Sequence, residues 1–183
     1  MRVFSIIGSC RDKAVLVQQL IAHLQELDFT VSTIKRVSDD VDLDRPGKDT
    51  YLQRHAGARE IVIANSFRSA ILEEYAQAQD EPDIEMLLSR LKPADVVLLE
   101  GFRLCAYPKL EVIGPNQGRR PLYHDDHSVI AIAGAVSGPS AAKPDEAELR
   151  SVRCFDLADI SAIALFVLAQ AALPGLACQE TAA

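Results

Sequence analysis

The sequence predicts an α/β fold: a mostly parallel sheet with helices on both faces and a β-hairpin extension. Short apolar runs, Val3–Ile7 and Asp95–Leu99, have the length and β-branching of strands covered on both faces. Between such runs lie segments whose apolar residues recur at helical spacing, the mark of a helix with one buried face. The two kinds of segment alternate along the chain, and that alternation closes into a parallel sheet with crossover helices.

Taken in order, Val3–Ile7 is the first strand. Leu16, Leu20, Leu24 and Leu27, with Val17 and Ile21 beside them, form the apolar face of the first helix. Thr30–Lys35 is β-rich and reads as a second strand, and Arg36–Gly47 as a charged loop with a Pro46-Gly47 turn. Lys48–Ala56 is helical, with Gly57 placed as its C-terminal cap. Glu60–Ala64 and Ser69–Glu73 make a hairpin around Asn65–Arg68. Pro82 and Asp83 open a helix with Ile84, Leu87, Leu88 and Leu91 on one face, and Lys92-Pro93 ends it. Asp95–Leu99, Lys109–Ile113 and Val129–Ala133 are further strands, and Phe155 ends a last short one. Asp156 or Asp159 caps the final helix, whose apolar stretch Ala162–Leu173 is broken off at Pro174-Gly175. Gly114–Arg120 and Gly134–Glu148 are expected to be mobile surface. Residues 1–173 are expected to form a single domain and 174–183 a disordered tail.

The composition narrows the function. The 183 residues carry a formal charge of −7, which argues against the basic face that a broad nucleic-acid footprint requires. The cysteines at 10, 105, 154 and 178 form no C-x-x-C pair and have no histidines at finger spacing, so they read as free thiols in a reducing cytosol. The N-terminal apolar run is too short for a signal-peptide core, and Ala162–Leu173 is too short to span a bilayer. A cytoplasmic protein is expected.

Ligands of such sheets bind at the carboxyl ends of the strands, and three candidate groups fall there. The turn after Ile7 stands where a phosphate-binding P-loop, G-x-x-x-x-G-K-[ST], would sit in a P-loop NTPase-like fold. Lys13 matches that pattern's lysine. However, Ile7 and Asp12 replace its glycines, Gly8 comes one place late, and Ala14 replaces the Mg2+-binding hydroxyl. Glycine reaches positive φ freely where Asp does so at a cost, and the Asp12 carboxylate would repel phosphate. Glu100 ends an apolar strand and is placed to hold Mg2+ through water or to orient a ligand. The charged stretch after the second strand offers Lys35, Lys48 and Arg54 to an anion and Asp42 and Asp44 to a cation, although it lacks the glycine and glutamate of a calcium loop. His124-Asp125-Asp126-His127 is weighed as a metal site and read as a surface turn, for want of a third convergent group. No nucleophile elbow is present, and no catalytic residue is assigned.

The stretch Thr33–Ala58, TIKRVSDDVDLDRPGKDTYLQRHAGA, resembles the molybdopterin-guanine dinucleotide biosynthesis protein B (MobB) family, whose pattern is TIKH…D-x-D-x-PGKDSY…R-x-AGA. Asp95–Phe102 (DVVLLEGF) is similar to that family's DLVLVEGF strand, and Pro108–Val112 (PKLEV) to its next strand. Arg68 with SAILEE, His127–Ala133 and Phe155–Val167 extend the likeness over nearly the whole chain. The resemblance implies a P-loop α/β protein, often dimeric, that binds GTP with Mg2+ weakly. It would assist a MobA-like nucleotidyltransferase acting on molybdopterin, as an adapter more than as an enzyme. By the same resemblance, Ser9 and Lys13 match phosphate-loop residues and Glu100 the Walker-B acid. Asp42, Asp44, Pro46, Gly47, Lys48, Asp49 and Tyr51 match the signature. The departures are Arg36 for the family's histidine, Ser38-Asp39 for its histidine pair, and Ala133-Gly134-Ala135 for an A-S-D ending whose aspartate would meet guanine. Triphosphate, metal and base contacts are thus all weakened while the signature is kept. The expectation is an adapter with reduced or lost GTP binding and hydrolysis. Two other readings stay open: a working P-loop GTPase or kinase-like enzyme with an atypical loop, and a non-catalytic binding protein outside this pathway.

Overall fold

The computed structural model describes residues 1–8, 11–37, 41–75, 77, 82–114, 120–134 and 152–175. Ser9, Cys10, Ser38-Asp39, most of the two expected surface loops and the tail from residue 176 lie outside the described residues. The chain forms two compact units, one of Met1–Arg36 with Asp83–Ala183 and one of Val37–Pro82.

The larger unit is built on β1 (Arg2–Ile7), α1 (Arg11–Glu26), β2 (Val31–Lys35), α3 (Ile84–Ser89), β5 (Val96–Glu100), β6 (Lys109–Ile113), β7 (Val129–Gly134), β8 (Arg153–Phe155) and α4 (Ile160–Gln170). Its six strands lie in the order β2-β5-β1-β6-β7-β8, and every neighbouring pair is parallel. Alternate side chains of a strand point to opposite faces. Phe4, Ile6, Val96, Leu98, Leu110 and Val112 meet Leu16, Leu20 and Leu24 of α1 and Ile163, Ala164 and Val167 of α4. On the opposite face Val3, Val97 and Leu99 meet Leu88 of α3 with Phe102, Cys105 and Tyr107. Helices therefore cover both faces, as expected. Leu27 departs from expectation: it is half-exposed, because α1 ends before it. The ending is enforced by Asp28 at φ 63, with the Phe29 N–H bonding the Leu24 carbonyl and the Asp28 N–H that of Gln25.

Asp83 caps α3 by accepting from the Glu85 and Met86 amides, and Asp159 rather than Asp156 caps α4 by accepting from Ala162. No helix among the described residues is long and apolar enough to cross a membrane.

The smaller unit holds α2 (Asp49–His55) and the antiparallel hairpin β3 (Glu60–Ala64) and β4 (Ser69–Glu73). Gly57 sits at φ 105 just beyond α2 and so closes it as expected of a glycine there. The Asn65 side chain accepts from the Phe67 and Arg68 amides and shapes the hairpin turn. Ile61 is the buried hydrophobic residue of this unit among the described residues, whereas Phe67 is 90% exposed.

Candidate functional site

The strand order sets where a ligand would sit. The chain leaves β1 toward β2 on one side and later places β6, β7 and β8 on the other, so the topological switch lies at the carboxyl end of β1. There Gly8 turns the chain at φ +133, and a Cβ on it would stand 2.5 Å from the Val112 carbonyl oxygen of β6. Gly8 is therefore needed for strand packing, in a conformation that L-residues avoid. The chain then enters α1, whose first turn carries Asp12 and Lys13.

Lys13, Lys35 and Glu100 come together at this edge. Lys35 and Glu100 are register partners at the ends of β2 and β5. Glu100 shares the face of Val96 and Leu98, which α1 covers, so Lys13 reaches it from the helix. The Lys13 ammonium lies 3.5 Å and the Lys35 ammonium 3.3 Å from the same carboxylate oxygen of Glu100. Glu100 is only 7% exposed, while the Lys35 side chain is 54% exposed. Gly101 follows at φ +89, and a Cβ there would stand 3.6 Å from the Lys13 nitrogen. The same Cβ would meet the Arg36 carbonyl oxygen at 3.4 Å and the Arg36 Cβ at 3.7 Å, so the backbone turn, more than the space, favours glycine here.

These residues do not fit Mg2+. The ion requires oxygen ligands at about 2.0–2.1 Å in near-octahedral geometry. Glu100 instead offers an oxygen already shared by two ammonium groups, and Ala14 supplies no hydroxyl. A third cation there would face two like charges at short range. Among the described residues no three His, Cys, Asp or Glu side chains are grouped to hold a metal ion, the His124–His127 turn included.

The signature residues form a separate cluster within the smaller unit. Asp42 accepts from the Asp44 amide at 2.9 Å, and one Arg54 nitrogen meets both Asp42 oxygens at 2.9 Å. The other terminal nitrogen of Arg54 meets Glu74 at 3.0 Å. The Asp44 amide and then the Arg54 guanidinium hold the Asp42 carboxyl below the usual carboxylate range. Asp44 accepts from the Arg45 amide at 2.7 Å and from the Thr50 hydroxyl at 3.1 Å, and Arg54 lies over the Tyr51 ring. Arg54, expected to face an anion, is thus engaged within its own unit and ties the Asp42 loop to the end of β4. Lys48 and Asp49 are exposed at the start of α2, and Ser9 lies outside the described residues.

The sequence reading missed a buried polar group on β6. Glu111 is fully buried and accepts from the Leu122 and Tyr123 amides at 3.0 and 3.1 Å. Lys109, 1% exposed, pairs with Asp126 at 3.1 Å and donates to the Ser128 hydroxyl and the Cys105 carbonyl. Burial pushes the Asp126 carboxyl up, but the Ser128 hydrogen bonds and the Lys109 ammonium outweigh it and hold the group below its usual range. The alternation in Lys-Leu-Glu-Val was the available signal, and it marks a shared face without saying what covers it.

A family model described as "Molybdopterin guanine dinucleotide synthesis protein B" matches residues 3–135. The chain is 35% identical over 128 residues to the molybdopterin-guanine dinucleotide biosynthesis adapter protein of Escherichia coli (strain K12), covering 68% of this chain and 72% of that one. It is 30% identical over 121 residues to the adapter protein of the same description from Haemophilus influenzae, covering 66% and 67%. Among solved structures, Bacillus subtilis MobB superposes with a TM-score of 0.67 at 18% identity, over 93% of this chain and 98% of that one, a likeness that speaks for the fold.

Proposed function

This chain belongs to the molybdopterin guanine dinucleotide synthesis protein B family, and from that premise we propose that it is an adapter in molybdopterin guanine dinucleotide biosynthesis whose GTP binding and hydrolysis are weakened. One observation carries the weakening: the Glu100 carboxylate, the expected metal ligand, is held by Lys13 and Lys35 at 3.5 and 3.3 Å. Ala14, next in the chain after Lys13, supplies no hydroxyl for Mg2+, and the Glu100 oxygen that the lysines share is already neutralised. Base recognition is weakened too, since Ala135 stands in the sequence where the family's A-S-D ending would bring an aspartate to guanine.

The partners in this reading are a MobA-like nucleotidyltransferase and molybdopterin itself, and the setting is the cytoplasm. The Asp42–Arg54 cluster supports a docking role, because its internal ion pairs give the signature loop a defined shape without a nucleotide. Lys48 and Asp49 present exposed charges from the same loop and helix start. A homodimer formed through the hairpin is part of the same proposal, supported by the exposed pair Val62 and Ile71.

GTP turnover with Mg2+, measured beside a Lys13→Ala variant, tests the weakening. The expected result is no Lys13-dependent turnover above background, with capture of the nucleotidyltransferase unaffected by GTP. Clear turnover lost in Lys13→Ala would restore the reading as a working GTPase.

A further inference from the structure

α4 is apolar on every side, which marks a helix enclosed by protein, yet it is enclosed on one side only. Ser161 and Gln170 are its polar residues, and no charged residue occurs from Ile160 to Gln170. Its inner face packs on the sheet through Ile163, Ala164 and Val167. Leu165 points the other way and is 63% exposed, with exposed Ser161 one turn before it and exposed Ala169 one turn after. By contrast α1, over the same sheet face, turns Gln18, Gln19, Gln25 and Glu26 to solvent and so needs no cover. The two ends of α4 carry opposite signs. Asp156 and Asp159 lie exposed at its start, where they accept from the Ala158 and Ala162 amides. Arg2 lies exposed at its end, where it donates to the Leu168 carbonyl at 3.0 Å.

We propose that the outer face of α4 seats the α4 of a second copy of this chain, laid antiparallel across Leu165. Charge selects that occupant. The chain carries a formal charge of −7, so two copies repel over most of their surfaces, whereas this face of α4 carries none. The N-cap Asp159 and the C-cap Ala171 stand equally far from Leu165 along the helix. A two-fold axis at Leu165 therefore brings the Arg2 end of each helix to the Asp156–Asp159 end of the other, with the helix dipoles opposed. The short side chains of Ser161 and Ala169 let the two helices approach around the Leu165 pair. A helix of eleven residues is about 16 Å long, and one such pair falls short of the roughly 1,200 Å2 of a stable interface. The contact is thus weak alone, with a Kd on the order of 100 μM. It gains by avidity where copies are already joined elsewhere, as in the proposed hairpin pair. It rests neither on that pair nor on the adapter reading.

Sedimentation equilibrium of the full chain from about 10 μM to about 1 mM provides the test, in the parent sequence and in Ile71→Lys, which removes the hairpin contact. Ile71→Lys is expected to be monomeric at the low end of that range and to dimerise at the high end. Adding Leu165→Glu is expected to weaken that association about tenfold or more, and adding Arg2→Gln, which keeps a donor without the charge, severalfold. Because Leu165 is exposed, Leu165→Glu is expected to leave the thermal stability of the monomer unchanged. An Ile71→Lys chain that stays monomeric throughout, or one whose association survives Leu165→Glu, would overturn the proposal. So would a marked loss of thermal stability in monomeric Leu165→Glu, which would give the face to a segment of the same chain. Capture of the nucleotidyltransferase lost in Leu165→Glu, with self-association intact, would give the face to that partner instead. Should Ile71→Lys fail to fold, the parent chain decides, since Leu165→Glu is then expected to remove the largest species seen at the high end.

Discussion

At the scale of single residues, Glu100 is held by two lysines that reach it from different elements, Lys13 from α1 and Lys35 from β2. Lys13, Lys35 and Glu100 were each placed at the ligand-bearing edge, but their pairing depends on strand register, which puts Lys35 beside Glu100. Arg54 looked like a free cation because its acceptors, Asp42 and Glu74, lie 12 and 20 residues away in the chain. Gly8 looked like a displaced phosphate-loop glycine and proves to be a packing glycine. Gly8→Ala is therefore expected to cost about 2–4 kcal/mol, since it combines left-handed strain with a collision against backbone. Urea denaturation measures it, and a change under about 1 kcal/mol would show that β6 moves aside easily.

At the scale of elements, hydrophobic periodicity located the segments well. The hairpin strands and β6 coincide with the expected spans, and the first three helices agree to within a residue or two at their ends. The last helix, α4, stops at Gln170, three residues short of the expected Leu173, because Ala172 pairs with Val3 instead. The short 3-10 helix Leu122–His124 was invisible because nothing in its own sequence makes it. It forms because the Glu111 carboxylate, projected from β6, accepts its first two amides. The turn that follows is held to the same strand by Lys109 and Asp126. The folded Asp126 carboxyl binds its proton less readily than the unfolded one, so its contribution is present above the ordinary Asp pKa of 3.8 and lost as pH falls through the lowered folded value. Asp126→Asn is expected to lose on the order of 3 kcal/mol at neutral pH, leaving Lys109 buried without its counter-charge. It should also flatten the acid limb of stability against pH. Denaturation at a series of pH values checks both, and an acid limb as steep as that of the parent chain would assign the titration elsewhere.

At the scale of the molecule, the two units differ in how much apolar surface each hides. The parallel-sheet unit buries apolar residues on both faces of the sheet. Within Val37–Pro82, Val41, Leu43, Leu52, Val62, Ile63, Phe67, Ile71 and Tyr75 are all exposed. A lone two-stranded hairpin is marginal in water, so a second copy covering it is the proposed source of its stability. Ile71→Lys, opposite Val62 in the pairing, is expected to convert a dimer to monomer in sedimentation while leaving the parallel-sheet unit folded. A parent chain that sediments as a monomer, or a variant that stays dimeric, would remove the hairpin from the interface. Alternation of strands and helices made the sheet legible from the chain alone. The division into units was not, because periodicity marks which side of an element is oily and does not report how much lies over it.

Two glycines flank the carboxyl end of β6, Gly8 against Val112 and Gly134 against Ile113, each leaving no room for a Cβ. Selection on sheet closure alone is enough to retain them. A glycine just after the first strand is therefore required here by sheet packing, and by itself says nothing about nucleotide binding.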